Sequence, residues 1–234
     1  MRKIVIELGG KYLKDSVYAA NDGIVTTFAV VAGVVGASLS PLVILVLGFA
    51  NLLADGFSMA TGNYLGTRSE NEHYDRERKR EARLFDESPE HMKEDLEEIF
   101  EDKGYDKEDA LAIAPLVRKN KEFFLDFVIF ERLGLSPSST GKAVNAALVT
   151  FISFLIAGSI PLLPYVLFGK NSNAFMLAII FTGIALFVVG AARTFFSDQS
   201  WWKGGMEMLL AGGGAAFIAY AVGLMLRPIV SGVL

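Results

Sequence analysis

Residues 41–80 read PLVILVLGFANLLADGFSMATGNYLGTRSENEHYDRERKR. From Pro41 to Gly66 the only charge is Asp55, whereas the stretch from Thr67 onward is dense with Arg, Glu and Asp. About 20 mostly apolar residues cross the hydrocarbon core of a bilayer as a helix. The stretch therefore reads as a membrane span that gives way to a water-exposed segment. The same contrast holds on either side of it. No charge occurs from Gly23 to Ala54 or between Lys142 and Lys170, while 20 of the 26 acidic residues lie between Arg68 and Glu131. A soluble globule of 234 residues does not sort its charge in this way; a membrane protein with one polar domain does.

Five segments are long and apolar enough to span. The first covers about Ser16 to Ala37 and is broken by Ser38 to Pro41. The second covers Pro41 to about Gly66, the third Ala143 to Phe168, the fourth Asn173 to Phe195 and the fifth Gly204 to Leu226. The expected fold class is an all-α membrane protein, with five transmembrane helices and a helical cytoplasmic domain between the second and third. That divides the chain into residues 1–66, 67–140 and 141–234. The N-terminal MRKIVIELGGKYLKDS has no apolar core or small-residue cleavage site, so no signal peptide is expected.

Lys and Arg set the orientation. With the N-terminus inside, 20 basic residues fall on the cytoplasmic side and only Lys170 and Arg227 fall outside. The N-terminus and residues 67–140 are then cytoplasmic and the C-terminus is outside. Trp201 and Trp202, beside Lys203, sit where an aromatic belt would meet the cytoplasmic face. The compact size points to a prokaryotic plasma membrane. Cysteine is absent, which excludes disulfides, thiolate metal sites and thiol catalysis. A net charge of -4 offers nothing to nucleic acid. No G-x-x-x-x-G-K-[ST] loop is present, so ATP does not drive the protein, and no organic cofactor is expected.

The polar segment is too long and too patterned to be a linker. Ser69 to Phe85 reads as a charged helix continuing the second span. Ser88-Pro89-Glu90 is a helix start, with Ser at the N-cap and Pro at the first helical position. That helix places Met92, Leu96, Ile99 and Phe100 on one face and ends at Gly104. A further helix starts near Asp106 or Lys107, and an aromatic one covers Glu122 to Leu133. Glu70, His73, Glu77 and Glu81 recur at steps of three and four and share a helix face. Glu94 with Glu97 or Glu98 forms a second acidic pair. Such a set is either a solvated, ion-paired surface, with Glu81 pairing to Arg78 or another neighbour of Lys79, or an oxygen-rich site for Mn²⁺ or Fe²⁺.

Carboxylates inside the membrane carry more information, because each costs about 2.5–3.5 kcal/mol to insert at the centre of a span. Asp22 lies in the first span and Asp55 in the second. Asn51, Asp55, Met59 and Asn63 follow at steps of four and form one slowly drifting stripe. A thioether beside a carboxylate favours a transition metal over Mg²⁺ or Ca²⁺. In the inside-in orientation Asp22 and Met59 both lie in the cytoplasmic half, close enough in depth to share a site. The competing reading gives Asp22 a capping role and Asn21 and Asp55 interhelical hydrogen bonds. Arg193 and Glu207, at the ends of the fourth and fifth spans, suit an ion pair. Gly33, Gly36 and Gly212 to Gly214 suit close helix approach.

Two stretches, Asn21-Asp22-Gly23-Ile24-Val25-Thr26-Thr27-Phe28-Ala29 with Val31-Ala32-Gly33, and NLLADGFSMATGNYLGTRSE from Asn51 to Glu70, resemble the first- and second-span signatures of the vacuolar iron transporter family. FERLGL, Phe130 to Leu135, resembles the end of that family's cytoplasmic domain. The resemblance implies a homodimer in the lipid bilayer that exports Fe²⁺, and often Mn²⁺, from the cytosol in exchange for protons. It implies that Asp22 is the essential aspartate and Met59 the pathway methionine. It further implies that Glu77, Glu81, Glu94, Glu97 and Glu131 bind metal in the cytoplasmic domain. Asn51 stands where some members carry glutamate, and Val128 and Ile129 where some carry two methionines. Two other classes stay open on the residues alone. One is a membrane-anchored carboxylate metal oxidase, for which Glu70-x-x-His73 has a ligand-pair spacing. The other is a metal sensor with a passive anchor.

Overall fold

The computed structural model describes residues 2–135, 142–169, 173–194 and 199–233. Helix is the only regular structure among them, in the order α1 (Arg2–Gly36), α2 (Pro41–Glu87), α3 (Pro89–Asp102), α4 (Lys107–Arg118), α5 (Lys121–Leu133), α6 (Ala143–Ser159), α7 (Leu163–Phe168), α8 (Ala174–Arg193) and α9 (Trp201–Val233). Five spans meet the length and hydropathy needed to cross a membrane: Tyr12–Gly36, α2, Ala143–Phe168, α8 and Trp201–Gly232. The protein is thus an all-α membrane protein with five candidate spans. Lys170, Phe195 and positions 136–140, which were expected to close a loop, a span and the polar domain, lie outside the described residues.

The chain divides into two compact units, Met1–Tyr64 with Val144–Leu234, and Leu65–Ala143. The boundary falls inside α2. At 1.5 Å per residue, crossing about 30 Å of hydrocarbon takes about 20 of the 47 residues of α2. Only its apolar first half is therefore a membrane segment.

In the apolar unit the core is built on α1, with Ala19, Phe28, Val31, Ala32 and Val34 packing with Ile44, Leu52, Phe154, Leu162 and Ala178. The helices approach at glycines. A Cβ on Gly23 would stand 2.6 Å from the carbonyl oxygen of Phe154, and one on Gly158 2.8 Å from that of Gly23. Backbone meets backbone at this crossing of α1 and α6, as small residues permit between membrane helices. Gly33, Gly36 and Gly212 also face neighbouring helices closely, but Gly213 and Gly214 have open space and take no part in such packing. The outer surface is apolar: Phe217 and Met225 are 73% and 76% exposed, which suits lipid rather than water. The third span is not one continuous helix. Pro161 and Pro164 lack the N–H that would extend the ladder, and a 3-10 turn at Ile160–Leu162 separates α6 from α7.

The polar unit has its own core. Met92, Leu96, Ile99 and Phe100 of α3 pack on Ala110 and Ala114 of α4 and on Phe124, Leu125 and Val128 of α5. Asp106 caps α4, its carboxylate accepting from the Asp109 N–H at 2.9 Å, and Asn120 caps α5 through the Phe123 N–H at 3.2 Å. Ser88 does not cap with its side chain, contrary to the sequence expectation; Pro89 supplies the helix start by its fixed φ alone. Gly134 closes α5 at φ 66°, a left-handed conformation suited to glycine.

Candidate functional site

Asp55 and Asn51 lie one turn apart on α2, and the Asn51 side-chain N–H donates to Asp55 Oδ2 at 2.7 Å. The second carboxylate in an apolar span is Asp22 of α1, and both are half-buried. Thr26 donates its hydroxyl to the Asp22 backbone carbonyl at 2.8 Å, leaving the carboxylate itself uncommitted to that bond. Gly23, next in sequence, lets the α6 backbone come close beside Asp22. The rest of the polar stripe divides. Met59 packs against the apolar core, and Asn63 donates to Thr150 Oγ1 on α6 at 2.7 Å. Asn63 is therefore helix-to-helix glue, while Asp22, Asp55 and Asn51 form the polar centre. Two like charges in a low-dielectric region repel, and a cation or a proton between them relieves that cost.

Within the polar unit, the carboxylates chosen from the sequence sit in unequal surroundings. Glu70 is exposed and lines a cavity of about 340 Å³ with His73, Glu72 and Arg76. Nδ1 of His73 lies 2.9 Å from Arg76 Nη2; guanidinium only donates, so Nδ1 is the acceptor there. Glu77 is held by Arg76 and Arg80, each at 3.4 Å. Glu94 points to solvent at 77% exposure. Glu97 lies 3.5 Å from Lys93, and Glu131 2.5 Å from Lys103.

Glu81 corrects the surface reading. Its expected partner Arg78 pairs instead with Glu122 and Asp126. Glu81 is 7% exposed, and its Oε2 is buried without a hydrogen-bond partner. It lines a cavity of about 170 Å³ with Glu77, Arg80 and Arg132, walled by Val128 and Ile129. Burial pushes its carboxyl above the ordinary value, Arg132 and Arg80 pull it down, and Asp95 and Glu77 push it further up.

Asp95 was not singled out from the sequence, yet it is the most deeply buried carboxylate of this group. It is 4% exposed, ion-paired through Oδ1 to Arg132, and its Oδ2 is buried without a partner. The signal was present in the spacing: Met92, Asp95, Leu96 and Ile99 share one face of α3, so Asp95 turns inward where Glu94 turns out. Among the described residues no three His, Asp or Glu side chains stand close enough to hold one ion. Within a single chain, Arg80, Arg132, Lys93 and Lys103 supply the positive charge that these carboxylates require.

A family model described as the VIT family matches residues 13–224. The chain is 34% identical over 228 residues to a vacuolar iron transporter of Toxoplasma gondii, covering 94% of this chain and 76% of that protein. It is 31% identical over 213 residues to vacuolar iron transporter 1 of Arabidopsis thaliana, covering 91% and 85%. It is 32% identical over 213 residues to a vacuolar iron transporter of Centaurea cyanus, covering 91% and 87%. These relatives are transporters by name, which removes the oxidase alternative. The match runs from the first span through the polar unit to the last span, and the chain belongs to the VIT family, a family of transporters rather than enzymes.

Proposed function

We propose that this protein exports Fe²⁺, with Mn²⁺ as a second substrate, from the cytosol in exchange for protons, and works as a homodimer in the bilayer. The observation that carries this reading is the pair Asp22 and Asp55, two half-buried carboxylates in otherwise apolar spans, with Asp55 held by Asn51 at 2.7 Å. An ionised carboxylate inside the hydrocarbon must be matched by a cation or neutralised by a proton. Metal and proton then compete for one site, and that competition is what antiport requires. The names of the relatives support iron as cargo. Asn51 would hold Asp55 in place, and Met59 would offer a thioether when the pathway opens.

In this reading residues 67–140 lie in the cytoplasm and gather metal at the entrance. Glu77, Glu81, Glu97 and Glu131, with Glu70, His73 and Glu94 nearer solvent, are its ligands once the arginine and lysine partners are displaced. The N-terminus is cytoplasmic, the C-terminus is outside, and the membrane is a prokaryotic plasma membrane. Reconstituted protein should accumulate Fe²⁺ or Mn²⁺ in vesicles under a pH gradient. Accumulation no greater than in empty vesicles would overturn the reading.

A further inference from the structure

One cavity of the apolar unit does not suit the metal. It is an open cleft of about 640 Å³ lined from α1, α8 and the start of α9, and among the described residues its charged lining residues are Lys14 and Arg193. Asn21 and Gln199 add polar atoms, while Val17 and Met208 supply an apolar wall. Two positive charges repel a divalent cation and attract an anion. Arg193 gives one nitrogen, Nη2, to Glu207, which leaves further N–H donors of its fork for another acceptor. Among the described residues Lys14 has no ion-pair partner.

The cavity also has a definite level in the membrane. Gln199 lies just before Trp201 and Trp202, which open α9, are 59% and 56% exposed, and contact each other edge-on. Exposed tryptophans at the end of a span belong at the headgroup layer. A cavity there with cations at the polar end and an apolar wall fits a phospholipid better than a free solute. Basic pockets between spans on the cytoplasmic side bind lipid phosphates in this way.

We propose that this cavity is a binding site for an anionic phospholipid, with the headgroup phosphate between Lys14 and Arg193, and the glycerol and upper chain along Val17 and Met208. The site is separate from the carboxylate pair and does not depend on which metal is carried. It stands one residue from Asp22, so occupancy also buttresses the end of α1 that bears the metal pathway.

Trp201 and Trp202 are the only tryptophans in the chain and follow the lining residue Gln199 by two and three positions, close enough to report on lipid beside the site. The full-length protein is placed in phosphatidylcholine vesicles carrying, at equal mole fraction, brominated phosphatidylglycerol or brominated phosphatidylcholine. Phosphatidylglycerol is expected to quench in excess, reflecting about fivefold local enrichment for each engaged cation. Lys14→Gln and Arg193→Gln should each lose most of that excess. Lys203→Gln removes an equal charge at the same end of α9 but not from the cavity, and should keep it. Lys14 is exposed on a helix surface, so its variant tests the site even where Arg193→Gln fails to fold. Equal quenching by the two lipids overturns the proposal, as does an equal loss in Lys203→Gln and Lys14→Gln. Thermal protection by inorganic phosphate without any lipid preference overturns the lipid assignment in favour of a free anion.

Discussion

Asn51 donates its side-chain N–H to Asp55 Oδ2 at 2.7 Å, so the carboxylate in the second span keeps a hydrogen bond from its own helix. A bond to a charged acceptor is worth about 1.5–3 kcal/mol. Asn51→Leu should therefore weaken half-saturation for Fe²⁺ by about tenfold or more in vesicle uptake, while Asn51→Asp, which adds a third charge, should slow proton-driven turnover. Unchanged kinetics in Asn51→Leu would show that the bond has no part in transport.

Asp22→Asn keeps the shape of the side chain but cannot change its charge. Proton-driven uptake should fall to the level of empty vesicles, with the protein folded and at wild-type abundance, because an expensive charge and not a packing group is lost. Asp55→Asn should impair uptake less, since Asn51 and an amide at position 55 can still bond. Uphill transport by a folded Asp22→Asn protein would move the coupling role to Asp55.

Glu81 predicts a pH-dependent stability. Its carboxyl is raised from 4.5 chiefly by burial, so the folded protein holds that proton more tightly than the unfolded chain does. The resulting contribution is full below 4.5 and is lost as the pH rises through the folded value. Above 4.5 its burial therefore works against the folded state. Glu81→Gln should raise the thermal midpoint on the order of 2–4 °C at pH 7 in metal-free buffer, and the gain should vanish near pH ~4. Added Mn²⁺ should then stabilise the wild type more than the variant. A lower midpoint for Glu81→Gln at pH 7 would contradict this account.

Arg132 is the counter-ion of Asp95, whose side chain is 5% exposed. Removing one partner of a buried pair leaves the other uncompensated, at about 3–5 kcal/mol. Arg132→Met should lower the midpoint by roughly 6–20 °C, and the double variant with Asp95→Leu should recover most of that loss. Saturating divalent metal should rescue Arg132→Met more than the wild type if a cation can take the place of the guanidinium.

The spans were legible because hydrocarbon imposes a length and forbids charge, so Gly23 to Ala54 and the run from Ala143 could be read directly. The two intramembrane carboxylates followed from the same rule. The interior of the polar unit was harder to read. Glu94 and Asp95 are adjacent acids, and only the rotational phase set by Met92, Leu96 and Ile99 separates an exposed side chain from a buried one. Glu81 looked like a surface residue because arginines surround it in sequence, yet Arg78 turns to Glu122 and Asp126, across distances along the chain that local spacing does not report. The 3-10 turn in the third span was signalled by Pro161 and Pro164, and hydropathy alone hid it.

The bare crossing of Gly23 and Gly158 constrains the mechanics of transport. No side chain cushions α1 against α6 there, so α1 cannot roll about its own axis without driving the Cβ of Asp22 or Ile24 into the Phe154 carbonyl. Asp22 is thus geared to α6. To face first one side of the membrane and then the other, the two helices must tilt as a coupled lever, or water must reach a carboxylate that stays still. Gly23→Ala, which wedges this crossing apart, would jam the lever without removing any candidate ligand.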